Sequence, residues 1–279
     1  MKGAYAIVLA ALLAAAPPGA APAQAESVPI PRPAPRAAAQ SNKTPVKTPV
    51  ASFCSPSRFR IAIDIGHTPK IPGSISARGV GEYAFNLRLA REIHDALREA
   101  GFSRAFLINP SGKEIRLYER VRAARRENAD LFLSVHHDSV RRAHLLKWVH
   151  NGEDLDYTSV ARGHSLHISL RGPKSRQSLA AARLLGNALR EQGLTPTDHH
   201  MRRNVGANLK RIDAYAGVYN HPNLAVLWLS KMPSLLLEGS VIKNPKDETR
   251  ADDPAYRKKL VAGVLAMAKG YCGEGTSLF

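Results

Sequence analysis

Three short apolar runs end on side chains that can bind a metal or move a proton. Arg60-Ile61-Ala62-Ile63-Asp64-Ile65 stops on Gly66 and hands over His67; Leu131-Phe132-Leu133-Ser134-Val135 runs into His136-His137-Asp138; Leu235-Leu236-Leu237 runs into Glu238-Gly239. Each run has the length of a sheet strand. In open α/β sheets, ligand and catalytic groups gather outside the carboxyl ends of the strands, so the three endings are expected to converge. A strand-ending histidine is more often a hydrogen-bonded surface residue than a ligand. The separations also give no compact signature of the HExxH kind. Spacing alone therefore leaves the metal open.

The elements that would position these groups follow from periodicity. After His67 comes a Gly/Pro/Ser loop, Thr68 to Gly81, and then Ala90, Ile93 and Leu97 mark one face of a helix from Glu82 to about Ala100. A carboxylate in that first turn also answers the helix dipole. Arg104 to Ile108 reads as a strand, Ile115 to Glu127 as a helix and Leu131 to Val135 as the next strand. This alternation implies parallel pairing through right-handed crossovers. Leu145, Leu146, Trp148 and Val149 could form a short amphipathic helix, with Asn151 to Tyr157 a turn. His164 to Leu170 alternates as a half-buried strand, and Leu179 to Leu189 sets a helix ending near Gly193. Thr195 to Pro222 is loop-like and basic; Leu224 to Leu229 and Ser234 to Leu237 are the last strands, and Pro254 to Gly270 the closing helix.

The totals bound the rest. The 279 residues, 44% hydrophobic, suffice for one substantial domain. Lys2, the apolar run Ala4 to Ala16 and Ala23-Gln24-Ala25 read as a signal peptide over residues 1–25. The run is shorter than the roughly 20 residues of a membrane span, and Pro17, Pro18 and Gly19 break it. Residues 26–57, rich in Pro, Ala, Ser, Thr and Lys, read as a disordered linker. The folded domain is expected at 58–273, with a tail at 274–279. A formal charge of +17 favours a polyanionic partner, for an exported protein the cell envelope. Nothing matches an RNA-binding aromatic pattern or zinc-finger spacing, so nucleic acid is not expected. Cys54 and Cys272 stand at the two ends of the folded region and, in an oxidising compartment, are expected to pair.

A family resemblance now joins the residues. Ile63-Asp64-Ile65-Gly66-His67, Gly81-Glu82 with Asn86-Leu87, Leu117-Tyr118-Glu119-Arg120-Val121, Ala129 to His136, and Met232 to Glu238 occur in the order seen in zinc-dependent N-acetylmuramoyl-L-alanine amidases. Asn244-Pro245-Lys246-Asp247-Glu248 is similar to the segment that follows the family's catalytic glutamate. The resemblance covers Arg60 to Gly270. It implies a three-layer α/β/α, phosphorylase/hydrolase-like fold with a mixed, mostly parallel sheet of about six strands. It also implies Zn2+ held by His67, Glu82 and His136, with Glu238 as the catalytic carboxylate. Two imidazoles and one carboxylate leave a fourth position open, the catalytic arrangement for zinc. Where the family has a small residue after the second histidine, this chain has His137, so choosing His136 over His137 rests on the Ser-x-His alignment.

The function implied is hydrolysis of the bond between N-acetylmuramic acid and L-alanine in peptidoglycan, in the periplasm, by a monomer with no transmembrane segment after processing. An envelope activator protein is a further candidate partner. The segment 139–162 is long for a minimal domain of this family, and by analogy with relatives Arg141 to Val149 is expected to gate the zinc or shape the groove. His199, His200, Arg202 and Arg203 are candidates for substrate contact, on what reads as a solvated loop. A zinc peptidase acting within the stem peptide and a non-catalytic peptidoglycan-binding domain are the alternatives.

Overall fold

The computed structural model describes residues 54–203 and 205–274. Strand β1 (Ile61–Ile65) is buried at every position. Ile61, Ile63 and Ile65 share one core with Leu131, Leu133 and Val135 of β3 (Leu131–Asp138). The intervening Ala62 and Phe132 enter a second core. Because side chains alternate along a strand, the two cores lie on opposite faces of the sheet, and both must be covered. Helices α1 (Glu82–Glu99), α3 (Ser175–Glu191) and α6 (Pro254–Glu274) bring Leu89, Leu185 and Leu260 to the first core. Helices α2 (Leu117–Arg126) and α4 (Ala225–Trp228) bring Val121 and Val226 to the second.

The strand order is β2-β1-β3-β9-β6-β8-β7, with β2 at Phe106–Ile108, β6 at Ser165–Ile168, β7 at Lys210–Asp213, β8 at Val218–Asn220 and β9 at Ser234–Val241. β1 pairs in parallel with β2 and β3, β3 with β9, and β6 with β8. Within this sheet β6 against β9 and β7 against β8 are antiparallel. This is the expected three-layer fold with a mixed, mostly parallel sheet, but with seven strands instead of about six. The addition comes from Thr195 to Pro222, read from sequence as loop. β7 there is Lys-Arg-Ile-Asp, a polar edge strand with no apolar pattern to betray it.

Two further corrections concern short elements. Leu224 to Leu229 is not a strand but contains α4, which presses Val226 and Leu227 into the second core. An apolar run this short cannot be assigned from periodicity. The segment 139–162 holds a single 3-10 turn (Arg142–His144) and then an antiparallel hairpin, β4 (Leu146–His150) and β5 (Glu153–Tyr157), in place of an amphipathic helix and a turn. Its tip is Asn151-Gly152, both at positive φ (52° and 82°), the turn chemistry that matches strand twist. Helix α5 (Pro245–Asp252) starts at Asn244, whose side chain accepts from the amides of Lys246 and Asp247.

Cys54 and Cys272 are disulfide-bonded, closing the domain at its two ends. Among the described residues no helix is long and apolar enough to cross a membrane. The signal peptide at 1–25, nearly all of the linker at 26–57 and the tail beyond Glu274 lie outside the described residues.

Candidate metal centre

Strands β1, β3 and β9 end side by side. Their register sets Ile65 beside Val135, and His136 beside Glu238. Beyond β1 the chain turns at Gly66, and His67 takes φ 65°, a left-handed conformation that costs a non-glycine residue energy. Arg120 of α2 holds this turn in place. Its guanidinium donates to the carbonyls of Ile65 and His67 (2.7 Å to the latter) and to Asp64 Oδ1 at 2.8 Å. Ser134 Oγ donates to the other Asp64 oxygen at 2.7 Å.

Glu82, the first residue of α1, is buried against both histidines. His67 Nε2 lies 3.1 Å from its Oε2 and His136 Nδ1 3.0 Å from its Oε1. Ser74 N and Asn86 Nδ2 also donate to the carboxylate. Burial pushes the Glu82 pKa up, but the hydrogen bonds and charges of His136 and His67 outweigh it and hold the carboxyl well below its ordinary range. Glycine makes the approach possible. A Cβ on Gly66 would sit 2.4 Å from the His136 ring, and one on Gly73 2.4 Å from Glu82 Oε2.

The donor set fits a zinc-class ion. One atom from each of His67, Glu82 and His136 lies within 4.8 Å of the others. Two imidazole nitrogens and one carboxylate oxygen leave a fourth tetrahedral position open, the donor set of a catalytic zinc. Strand alternation sends His137 the opposite way. Its Nδ1 lies 2.8 Å from Asn86 Oδ1, its ring tilts against Phe85, and burial lowers its pKa to about 4.

Glu238 completes the group. Part of the residue faces a groove of about 790 Å³ shared with His67, His136 and Arg120, while its Oε2 is buried without a hydrogen-bond partner. Burial, and then the charges of Asp138 and Glu82, push its pKa well above the ordinary carboxylate value. Ile71, Ile115, Leu117, Leu224 and Leu236 give the groove apolar walls. No residue of β4 or β5 lines it. Trp148 Nε1 instead ties that hairpin to the carbonyl of Ala77 at 2.8 Å.

The family model described as N-acetylmuramoyl-L-alanine amidase matches residues 61–269. The chain belongs to that family. This amidase-family chain is 26% identical over 220 residues to the amidase AmiC of Neisseria meningitidis, covering 76% of this chain and 52% of that one. It is 23% identical over 219 residues to a putative N-acetylmuramoyl-L-alanine amidase of Buchnera aphidicola, covering 76% and 95%. The chain thus spans about half the length of the meningococcal relative and nearly all of the Buchnera one. Solved structures share its fold. Amidase Ami1 of Mycobacterium smegmatis aligns with TM-score 0.61 at 18% identity, covering 78% of this chain and 98% of that one. AmiC2 of Nostoc punctiforme aligns with TM-score 0.56 at 21% identity, covering 76% and 96%.

The structure thus gathers His67, Glu82, His136 and Glu238 at one place in this amidase-family fold. Arg120 and Asp64, which brace that place, were not singled out for this role from sequence, although both lie in the segments that carry the resemblance. His199 and His200 depart from expectation. Read as part of a solvated loop, they are buried (0% and 6% exposed), whereas Arg202 and Arg203 are exposed and Arg202 pairs with Asp198.

Proposed function

We propose that the chain is a secreted zinc hydrolase that cleaves the amide between the lactyl group of N-acetylmuramic acid and L-alanine in peptidoglycan. The observation that carries this reading is the meeting of Glu82 with His67 and His136 beside Glu238, in a chain of this family. His67, Glu82 and His136 would hold the zinc. When bound, the ion supplies a Lewis acid to the scissile carbonyl and to water.

The chain's own residues do the rest. Glu238 takes a proton from the attacking water and gives it to the nitrogen of L-alanine as the C–N bond breaks, leaving a lactyl carboxylate and a free amine. Arg120, through the His67 carbonyl and Asp64, fixes the turn from which His67 reaches Glu82. The basic surface, with its formal charge of +17, favours a substrate that carries carboxylates. A leader at 1–25, a linker at 26–57 and a periplasmic location belong to the same reading.

The test is solubilisation of purified peptidoglycan by the full chain. Activity should vanish on chelation and return with zinc, and Glu238→Gln should stay inactive after zinc is restored. Undiminished activity in chelator would overturn the reading.

A further inference from the structure

A second buried cluster lies beyond Glu238, outside the machinery described above. Asp138 follows His136 by two positions on β3, across an irregularity in the pairing with β9. A single 3-10 turn, His199–Met201, brings two imidazoles onto it. His200 Nε2 lies 2.8 Å and His199 Nε2 3.4 Å from Asp138 Oδ2. Neither approach has hydrogen-bond alignment: Asp138 Oδ2 and His199 Nε2 are both buried without a hydrogen-bond partner. Each orphaned buried polar atom costs about 1–3 kcal/mol, so two pointing at one spot call for a partner. A hydrogen bond from His200 to Asp138 would still leave His199 Nε2 orphaned.

The surroundings are built for that arrangement. Thr197 Oγ1 sits 2.8 Å from His199 Nδ1, which fixes the ring and turns Nε2 toward Asp138, the outer-shell contact typical of a ligating histidine. Ser165 Oγ lies 3.2 Å from the same His200 Nε2 and must yield it to an ion, while His200 Nδ1 is buried without a hydrogen-bond partner. Behind the pair runs Gly206, where a Cβ would meet His199 O and His200 Cα at 2.5 Å. A cavity of about 450 Å³ reaches Asp138 and His200 and shares only Glu238 and Leu224 with the groove at His67.

We propose that Asp138, His199 and His200 form a second divalent-metal site, separate from His67, Glu82 and His136. One atom from each lies within 4.8 Å of the others. Two imidazoles with one carboxylate favour zinc, cobalt or nickel over magnesium or calcium, which prefer oxygen. The ion fastens the 195–203 segment to the end of β3 and places a positive charge beside Glu238.

Zinc content per chain decides the matter. The full chain is loaded with zinc, exchanged into metal-free buffer and assayed by elemental mass spectrometry, alongside Glu82→Gln and Asp138→Asn. Circular dichroism confirms that each variant is folded. Two equivalents in the unaltered chain and one in each variant are expected. One equivalent that disappears in Glu82→Gln, or two that persist in Asp138→Asn, would overturn the second site. One equivalent kept in Glu82→Gln and lost in Asp138→Asn would keep the second site and reject the first instead. If Asp138→Asn fails to fold, cobalt titration of the unaltered chain and Glu82→Gln, read by visible absorption, decides between two binding steps and one.

Discussion

His136 and Glu238 are register partners across the parallel pair β3 and β9, one residue beyond the pairing of Val135 with Leu237. The sheet itself therefore fixes the distance from a candidate ligand to the candidate proton carrier, with no loop between them. Replacing Glu238 by Gln keeps the shape and removes the proton transfer. The expected loss in kcat is about 10²–10⁴-fold, with zinc content unchanged. Steady-state kinetics with metal analysis checks this; a variant that retains more than a tenth of the rate would remove Glu238 from that role.

Arg120 and Asp64 form a buried pair, 3% and 1% exposed, under the turn that carries His67. Arg120→Met should cost about 3–5 kcal/mol, because it strands the Asp64 charge. Adding Asp64→Asn should restore part of that loss, since the stranded charge is then gone. Urea unfolding of the two single variants and the double variant measures the coupling. Simple additivity would mean that the pair does not act as a unit.

Acid should weaken the fold through His164. Burial, helped by the charges of Arg190 and Arg250, lowers its pKa from 6.5 to about 3. Between those values the unfolded chain binds a proton that the folded chain does not, so stability falls as pH falls. The loss from this residue is about 2 kcal/mol at pH 5 relative to neutral pH. Denaturant titrations at pH 7 and pH 5 should show a smaller drop for His164→Leu than for the unaltered chain. Equal drops would contradict the assignment.

The Cys54–Cys272 bridge spans 218 positions of the chain. By loop entropy it is worth about 5 kcal/mol, an upper figure. For a domain of this size that corresponds to about 10–20 °C in melting temperature. Calorimetry with and without reductant tests it, and an unchanged transition would mean that the bridge constrains nothing that folding has not already fixed.

What could be read from sequence was whatever depends on continuous burial. β1, β3 and β9 are apolar on both faces, so their runs stand out, and their ends name His67, His136 and Glu238. Glu82 was less visible, because a carboxylate at a helix start has an ordinary explanation in the dipole. β7 was invisible, since an edge strand of Lys, Arg, Ile and Asp leaves no periodic trace. The hairpin β4–β5 carried its signal in Asn151-Gly152, but charged residues on both strands masked the alternation. His199 and His200 were misread for a related reason. Their neighbours Arg202 and Arg203 made the stretch look solvated, and it is tertiary contact with Asp138, His167 and Tyr219 that buries the imidazoles.

The most direct test of the central claim is the identity of the products. Purified peptidoglycan digested by the full chain with zinc, and analysed by mass spectrometry, should yield stem peptides with a free L-alanine amino terminus and glycan strands bearing intact lactyl groups. Fragments cut within the stem peptide, with L-alanine still attached to muramic acid, would contradict the account.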